Sequence, residues 1–185
     1  MRLVTFQTED AFNELQSKGY LIGKKEYVSP YFLKAYQWLR QQMNDKVGPA
    51  PFLDQYPIWA WYQGGDVDDL DFHCQDIEVG QRGVRLEVEI DDKLVVLSDH
   101  DSWHAVLNNV YFSISERDSD EFDKVQLNRQ ARIEKSWELI FILDHGDNPW
   151  LTTGEEPPIQ ATFWKLELNQ VTSVTWLNGT NKSSK

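Results

Sequence analysis

From Val84 to Ile90 every second residue is apolar: Val84, Leu86, Val88 and Ile90 alternate with Arg85, Glu87 and Glu89. A period of two describes a strand with one side on a core and the other toward water. The rest of the chain can be read outward from it. Leu3 to Phe6 is an expected first strand. Thr8 then caps a short helix with Glu9 and Asp10 in its first turn, where the helix dipole favours acids, and Gly19 ends it. Ser29-Pro30 opens a second helix carrying Phe32, Tyr36, Leu39 and Met43 at helical spacing, and Gly48-Pro49-Ala50-Pro51 breaks it.

Pro57 to Gln63 is expected as a strand with Trp59, Trp61 and Gln63 on one face, closed by Gly64-Gly65. Asp66 to Asp71 is an acidic loop, and Leu94 to Leu97 is a further strand. Trp103, Val106, Leu107 and Val110 define a helical face. Ser115 to Lys135 is highly charged and partly helical, Trp137 to Leu143 reads as a strand, and Asp144 to Pro158 is a polar loop containing Trp150. Gln160 to Leu168 and Val171 to Leu177 read as a closing hairpin around Asn169-Gln170. The order β-α-α-β-β-β-α-α-β-β-β lacks the regular alternation of a doubly wound fold. It predicts an α+β domain, a mainly antiparallel sheet with flanking helices.

A chain of 185 residues fits one globular domain, expected over residues 1–178, with a small polar tail at 179–185. Eight Trp, seven Tyr and nine Phe argue for a folded core rather than disorder. The net charge of -12 disfavours direct nucleic-acid binding and anionic membranes, and leaves room for docking on a basic protein partner. Cys74 is the single cysteine, so no internal disulfide forms. The opening residues lack the apolar run of a signal peptide and no stretch is long enough to span a membrane, so a cytoplasmic location is expected.

Reactive groups concentrate between Leu97 and Asn109, which hold two of the four histidines. A strand that feeds a polar turn and a helix start delivers such groups to a sheet edge. Ser98 with Asp101 three residues on reads as a variant capping box. That leaves His100, His104 and Asn108 unexplained, and their spacing of i, i+4, i+8 puts them on one stripe. The stripe lacks the further ligands a metal needs, so no metal residues are assigned. Trp59 and Trp61 read either as core or as a stacking platform. Glu87 and Glu89 read as a solvated strand face rather than an acid/base pair. No GxxxxGK[ST] loop, GxGxxG turn or GxSxG elbow is present.

Several of these blocks carry a resemblance. Val4-Thr5-Phe6-Gln7-Thr8, Pro57-Ile58-Trp59-Ala60-Trp61, the Leu97 to Asn108 block, Trp137-Glu138 and Gln160-Ala161-Thr162-Phe163-Trp164 resemble a bacterial and phage family, domain of unknown function 3841. The resemblance implies a small intracellular bacterial protein and brings no catalytic residues with it. A second likeness is to ADP-ribosyltransferase domains, which begin with a strand bearing a key polar residue and then a short helix ending near glycine. Thr5 and Gln7 followed by the helix to Gly19 are similar to that opening, without its usual histidine or arginine. Such domains hold nicotinamide on an aromatic residue and often use a late-strand glutamate, a place that Gln160 or Glu167 would fill here. NAD is the cofactor this likeness implies.

The expected site is a pocket near the sheet edge for a nucleotide-like or other small polar aromatic ligand. Trp59, Trp61 and Trp103 would stack, and Asp99, His100 and Asn108 would orient the ligand by hydrogen bonds. Asp101 or His104 would be the acid/base group of any catalysis. The competing expectation is an acidic interaction or inhibitor module, whose patches at Asp66 to Asp71 and Asp118 to Asp123 bind a basic partner.

Overall fold

Two sheets meet at a corner. The computed structural model describes residues 1–144, 148, 150 and 157–180. Its strands are β1 (Arg2–Thr8), β2 (Tyr20–Lys24), β3 (Gln55–Tyr56), β4 (Ile58–Gln63), β5 (Arg82–Glu89), β6 (Val95–Asp99), β7 (Ile159–Phe163), β8 (Lys165–Glu167) and β9 (Val171–Asn178). The helices are α1 (Glu9–Lys18), α2 (Leu33–Lys46), α3 (Leu70–Cys74), α4 (His100–Leu107), α5 (Glu116–Asp123) and α6 (Arg129–Ser136), with short 3-10 turns between. The main sheet runs β6-β7-β4-β1-β5-β9 and the small sheet β3-β2-β8. Every pairing is antiparallel. The domain is therefore α+β.

Pro57 and Trp164 are the corner residues. The chain leaves β3 through Pro57 into β4, and leaves β7 through Trp164 into β8, so two adjacent strands pass from one sheet to the other together. Gln55, fully buried, donates its side-chain amide to the Trp164 carbonyl there. Gly23 is required at the same corner, because a Cβ would overlap the Tyr56 carbonyl.

The sheet has a core on each side. On one face Leu3, Ala60, Leu86 and Ala161 pack with Phe12 and Leu15 of α1 and with Leu21 and Leu166 of the small sheet. On the other, Val96 and Trp59 pack with Leu39 and Met43 of α2, Trp103 and Val106 of α4, and Trp137 and Ile140. The alternation from Val84 to Ile90 is realised: those four apolar residues are buried and Glu89 is exposed. Arg85 departs from it. Its aliphatic part is buried, and its guanidinium bonds Glu87, Asp68 and the Val67 carbonyl.

Three expectations are corrected. Trp137–Phe141 is a 3-10 helix, not a strand. Its buried residues, Trp137 and Ile140, are three apart, and an unbroken apolar run does not distinguish the two forms. The closing hairpin is also absent. A turn does fall at Leu168–Gln170, but β7 belongs beside β4, β8 beside β2, and β9 beside β5 on the far edge. Finally, β2 was unforeseen. It pairs with β8 through Tyr20, Leu21 and Ile22 and with β3 through Gly23 and Lys24, a segment too short to show alternation. Of the polar loop from Asp144 to Pro158, most lies outside the described residues; Trp150 donates its indole N–H to Ser113. Of the expected tail, Gly179 and Thr180 donate backbone bonds to Gln81 and Cys74, and residues 181–185 lie outside the described residues.

Candidate functional site

The main sheet opens at its centre. β1 pairs with β5 along its whole length, but with β4 through a single register pair, Val4 opposite Trp61. One step further on, the Thr5 hydroxyl takes the place of a backbone donor and bonds the Trp59 carbonyl at 2.7 Å. Gln7 in turn donates its side-chain amide to the Thr5 oxygen at 2.8 Å. A cleft of about 310 Å³ lies over this opening. β1 brings Thr5 and Phe6, β4 brings Trp59 and Trp61, β7 brings Gln160, α2 brings Tyr36, and α4 brings His100, Trp103, His104 and Leu107.

The aromatic groups touch one another around it. Trp59 lies 5.1 Å from Trp103 between ring centroids, and Tyr36 meets each of them edge-on at 5.9 Å. Trp61 lies 4.9 Å from His100, and His100 meets His104 edge-on at 5.4 Å. Gly65, with a φ of +72°, is what allows Trp61 its position: a Cβ there would overlap the indole.

One buried donor at the cleft is unpaired. The Gln160 Nε2 atom has no hydrogen-bond partner among the described residues. Gln160 is 5% exposed, so its orphaned amide carries the cost of desolvation without compensation. Beside it in the ladder, opposite on β6, Ser98 is 1% exposed and its hydroxyl is also unpaired. Burial pushes the Tyr36 phenol above its ordinary range, with a hydrogen bond from the Trp59 indole pulling the other way. The phenol therefore stays a neutral donor. None of the residues lining the cleft carries a permanent charge, although the whole chain carries -12.

Not every expected residue lines this cleft. Trp59, Trp61, His100, Trp103 and His104 do. Asp99 does not: it is 4% exposed and caps α4, accepting from the Ser102 amide at 2.6 Å. The expected cap, Ser98, sits one residue earlier inside β6. Asn108 ends the helix and folds its side chain back on the His104 carbonyl, and it does not line the cleft. Asp101 is exposed and lies 3.3 Å from Nδ1 of His100, where it orients that ring. Tyr36 was missed, because its helical spacing with Leu39 and Met43 read as core.

The remaining features have structural employment. Glu87 is held below the usual carboxylate range by its hydrogen bond from Arg85. In the acidic loop Asp68 pairs with Arg85, and Asp69 caps α3. In the second acidic stretch Asp118 accepts from Tyr111 and from the Ile114 amide, and Asp123 pairs with Arg129. His73 lies on α3 and stacks on Phe6 at 3.7 Å. Glu167 lies in the small sheet, paired with Lys165. Among the described residues no group of three metal-ligating side chains converges, and no helix is long and apolar enough to cross a membrane.

A family model described as a domain of unknown function, DUF3841, matches residues 2–172. The chain belongs to the DUF3841 family. That match runs from β1 into the start of β9, so the DUF3841 domain includes every residue lining the cleft. No curated protein and no solved structure matches the chain.

Proposed function

We propose that the cleft binds a small planar ligand rich in hydrogen-bond acceptors, a nucleobase or the nicotinamide end of a dinucleotide. The observation that carries this is the meeting of an unpaired buried donor, Gln160 Nε2, with an aromatic wall on an uncharged cleft. Indole faces supply stacking that tolerates any flat ring, and an acceptor on that ring would satisfy a donor that now pays for its burial. The volume of about 310 Å³ stands at the lower end for small-molecule sites, so it suits one ring system and its sugar rather than a whole dinucleotide. His104, and His100 held by Asp101, offer titratable groups beside it.

ADP-ribosyl transfer from NAD is the second reading, and one placement favours it. Thr5 of the first strand, aromatic side chains, and Gln160 in the late-strand place all line one cleft, while the other candidate for that place, Glu167, lies in the small sheet. Gln160 offers an amide where that chemistry ordinarily uses a carboxylate.

Tryptophan fluorescence and thermal melting, with NAD, nicotinamide mononucleotide, AMP and ATP as probes, test both. The expected result is saturable quenching and a raised melting temperature, each weakened in Trp61→Ala and in His104→Ala. Radiolabelled NAD then separates binding from transfer. An unmoved melting temperature with every probe, or shifts that both substitutions leave intact, would remove the cleft from consideration.

A further inference from the structure

A larger cavity lies at the C-terminal end of β1 and shares only Phe6 with the cleft. It holds about 600 Å³, well within the range of small-molecule sites. Part of its wall is aromatic. His73 stacks on Phe6 at 3.7 Å, and its Nε2 lies 3.1 Å from the Asp66 carbonyl, which anchors the ring. Tyr27, 74% exposed, also lines the cavity. Ile77, Val84 and Leu177 add aliphatic surface. The charge is as one-sided as the cleft is neutral. Four carboxylates, Glu9, Asp10, Asp76 and Glu78, line the cavity against one guanidinium, Arg82. That guanidinium is already engaged, 4.0 Å over the Trp176 ring and 3.6 Å from Glu9. The carboxylates of Asp10, Asp76 and Glu78 have no hydrogen bond or ion pair among the described residues. The segment that carries the last two is held in place: the Asp76 amide donates to the His73 carbonyl, and the Gln81 amide to the Glu78 carbonyl.

We propose that this cavity binds an organic polycation, a flexible aliphatic chain carrying two or more ammonium groups. Charge complementarity selects that occupant. The uncompensated carboxylates come from two segments, the first turn of α1 and the loop between α3 and β5. Among the described residues no three metal-ligating side chains converge, so these carboxylates do not gather on one point as a metal ion requires. Charges strung along a chain can reach each of them in turn. Between those charges, methylene groups would lie on Ile77, Val84 and Leu177 and leave water. The faces of Phe6 and Tyr27 attract an ammonium group by their ring quadrupoles. An anionic ligand would instead meet carboxylates that nothing neutralises, so nucleotides are turned away from this cavity. The inference does not rest on the ligand reading of the cleft.

Isothermal titration calorimetry of the full chain with spermidine, at physiological ionic strength, reads the binding. One saturable site is expected, and AMP should not displace it. Asp76→Asn combined with Glu78→Gln should weaken it about fivefold to tenfold, the worth of two exposed ion pairs. Tyr27→Ala should weaken it about twofold to fivefold. Glu116→Gln combined with Asp120→Asn removes the same charge from α5, which does not line the cavity, and should change affinity less than about twofold. Amide NMR shifts on the unsubstituted chain need no variant: spermidine should move Phe6 to Asp10 and Asp76 to Arg82. Heat without saturation, equal weakening by the α5 pair, or shifts confined to other acidic surfaces would overturn the inference. So would a lysine-rich peptide that binds these residues where spermidine does not. If a variant unfolds, the shift map decides.

Discussion

The Thr5 hydroxyl donates to the Trp59 carbonyl at 2.7 Å and closes, by side chain, a position where neighbouring strands ordinarily exchange backbone bonds. Thr5 is 1% exposed, and its oxygen also accepts from Gln7. Thr5→Val keeps the shape and deletes both bonds, leaving a buried carbonyl without its partner. The expected cost is about 1–3 kcal/mol in urea unfolding, with a shifted tryptophan emission as Trp59 moves.

Gln160→Leu should separate stability from binding. The amide is buried with its Nε2 unpaired, so an apolar side chain of similar size removes an uncompensated group. The melting temperature is expected to hold or rise, while affinity for the nucleotide probes falls about fivefold to tenfold, the worth of one neutral hydrogen bond. A lowered melting temperature with unchanged affinity would mean that the amide serves the fold.

Gly65→Ala is expected to act on Trp61 without touching any ligand. The new methyl overlaps the indole, and the residue must also hold a φ of +72°. A non-glycine residue in that region is strained by about 1–2 kcal/mol. Near-ultraviolet circular dichroism should report the displaced ring, and probe affinity should fall with it.

Asp99→Ala tests the support of the two histidines. Loss of the cap on the Ser102 amide is expected to cost about 1 kcal/mol. Because His100 and His104 lie on the first turns of the same helix, their ring resonances in a histidine-selective NMR spectrum should move as well.

Glu14 ties α1 to β2 and makes stability depend on acid. Hydrogen bonds from Lys18 and from Lys24 hold its carboxyl below the ordinary value of 4.5. A depressed folded pKa means that the contribution is complete above 4.5 and is lost as pH falls through the lower folded value. Lys24→Met should move the NMR-detected titration of Glu14 upward and flatten the fall in melting temperature over that acidic window.

Much of this arrangement was legible in the sequence. Alternation exposed β5, helical spacing exposed α2, although Ser29-Pro30 opens a 3-10 turn and the α-helix begins only at Leu33, and the tryptophans of β4 shared the face that was expected. What escaped was set by partners remote in the chain. Ser98 and Asp99 differ by one position and both pair with β7, opposite Gln160 and Ile159, and it is the last residue of the strand, Asp99, that caps the helix. Tyr36 looks like any core position until α2 is laid against β4. Gln160 reads as an ordinary strand residue until its burial and its empty amide are seen together. The corner at Pro57 and Trp164 is invisible locally, because each strand continues in sequence while its neighbours change.

The narrow junction between β1 and β4 has a mechanical consequence. A sheet resists shear through its ladder bonds, and here a ladder of seven register pairs on one side of β1 meets one register pair and a hydroxyl bridge on the other. Torsional stiffness is therefore lowest along that line, with β6, β7 and β4 on one plate and β1, β5 and β9 on the other. The cleft straddles that line. A bound ring that bridges Thr5 or Phe6 to Trp59 or Gln160 would act as a brace, stiffening the whole sheet from its weakest seam.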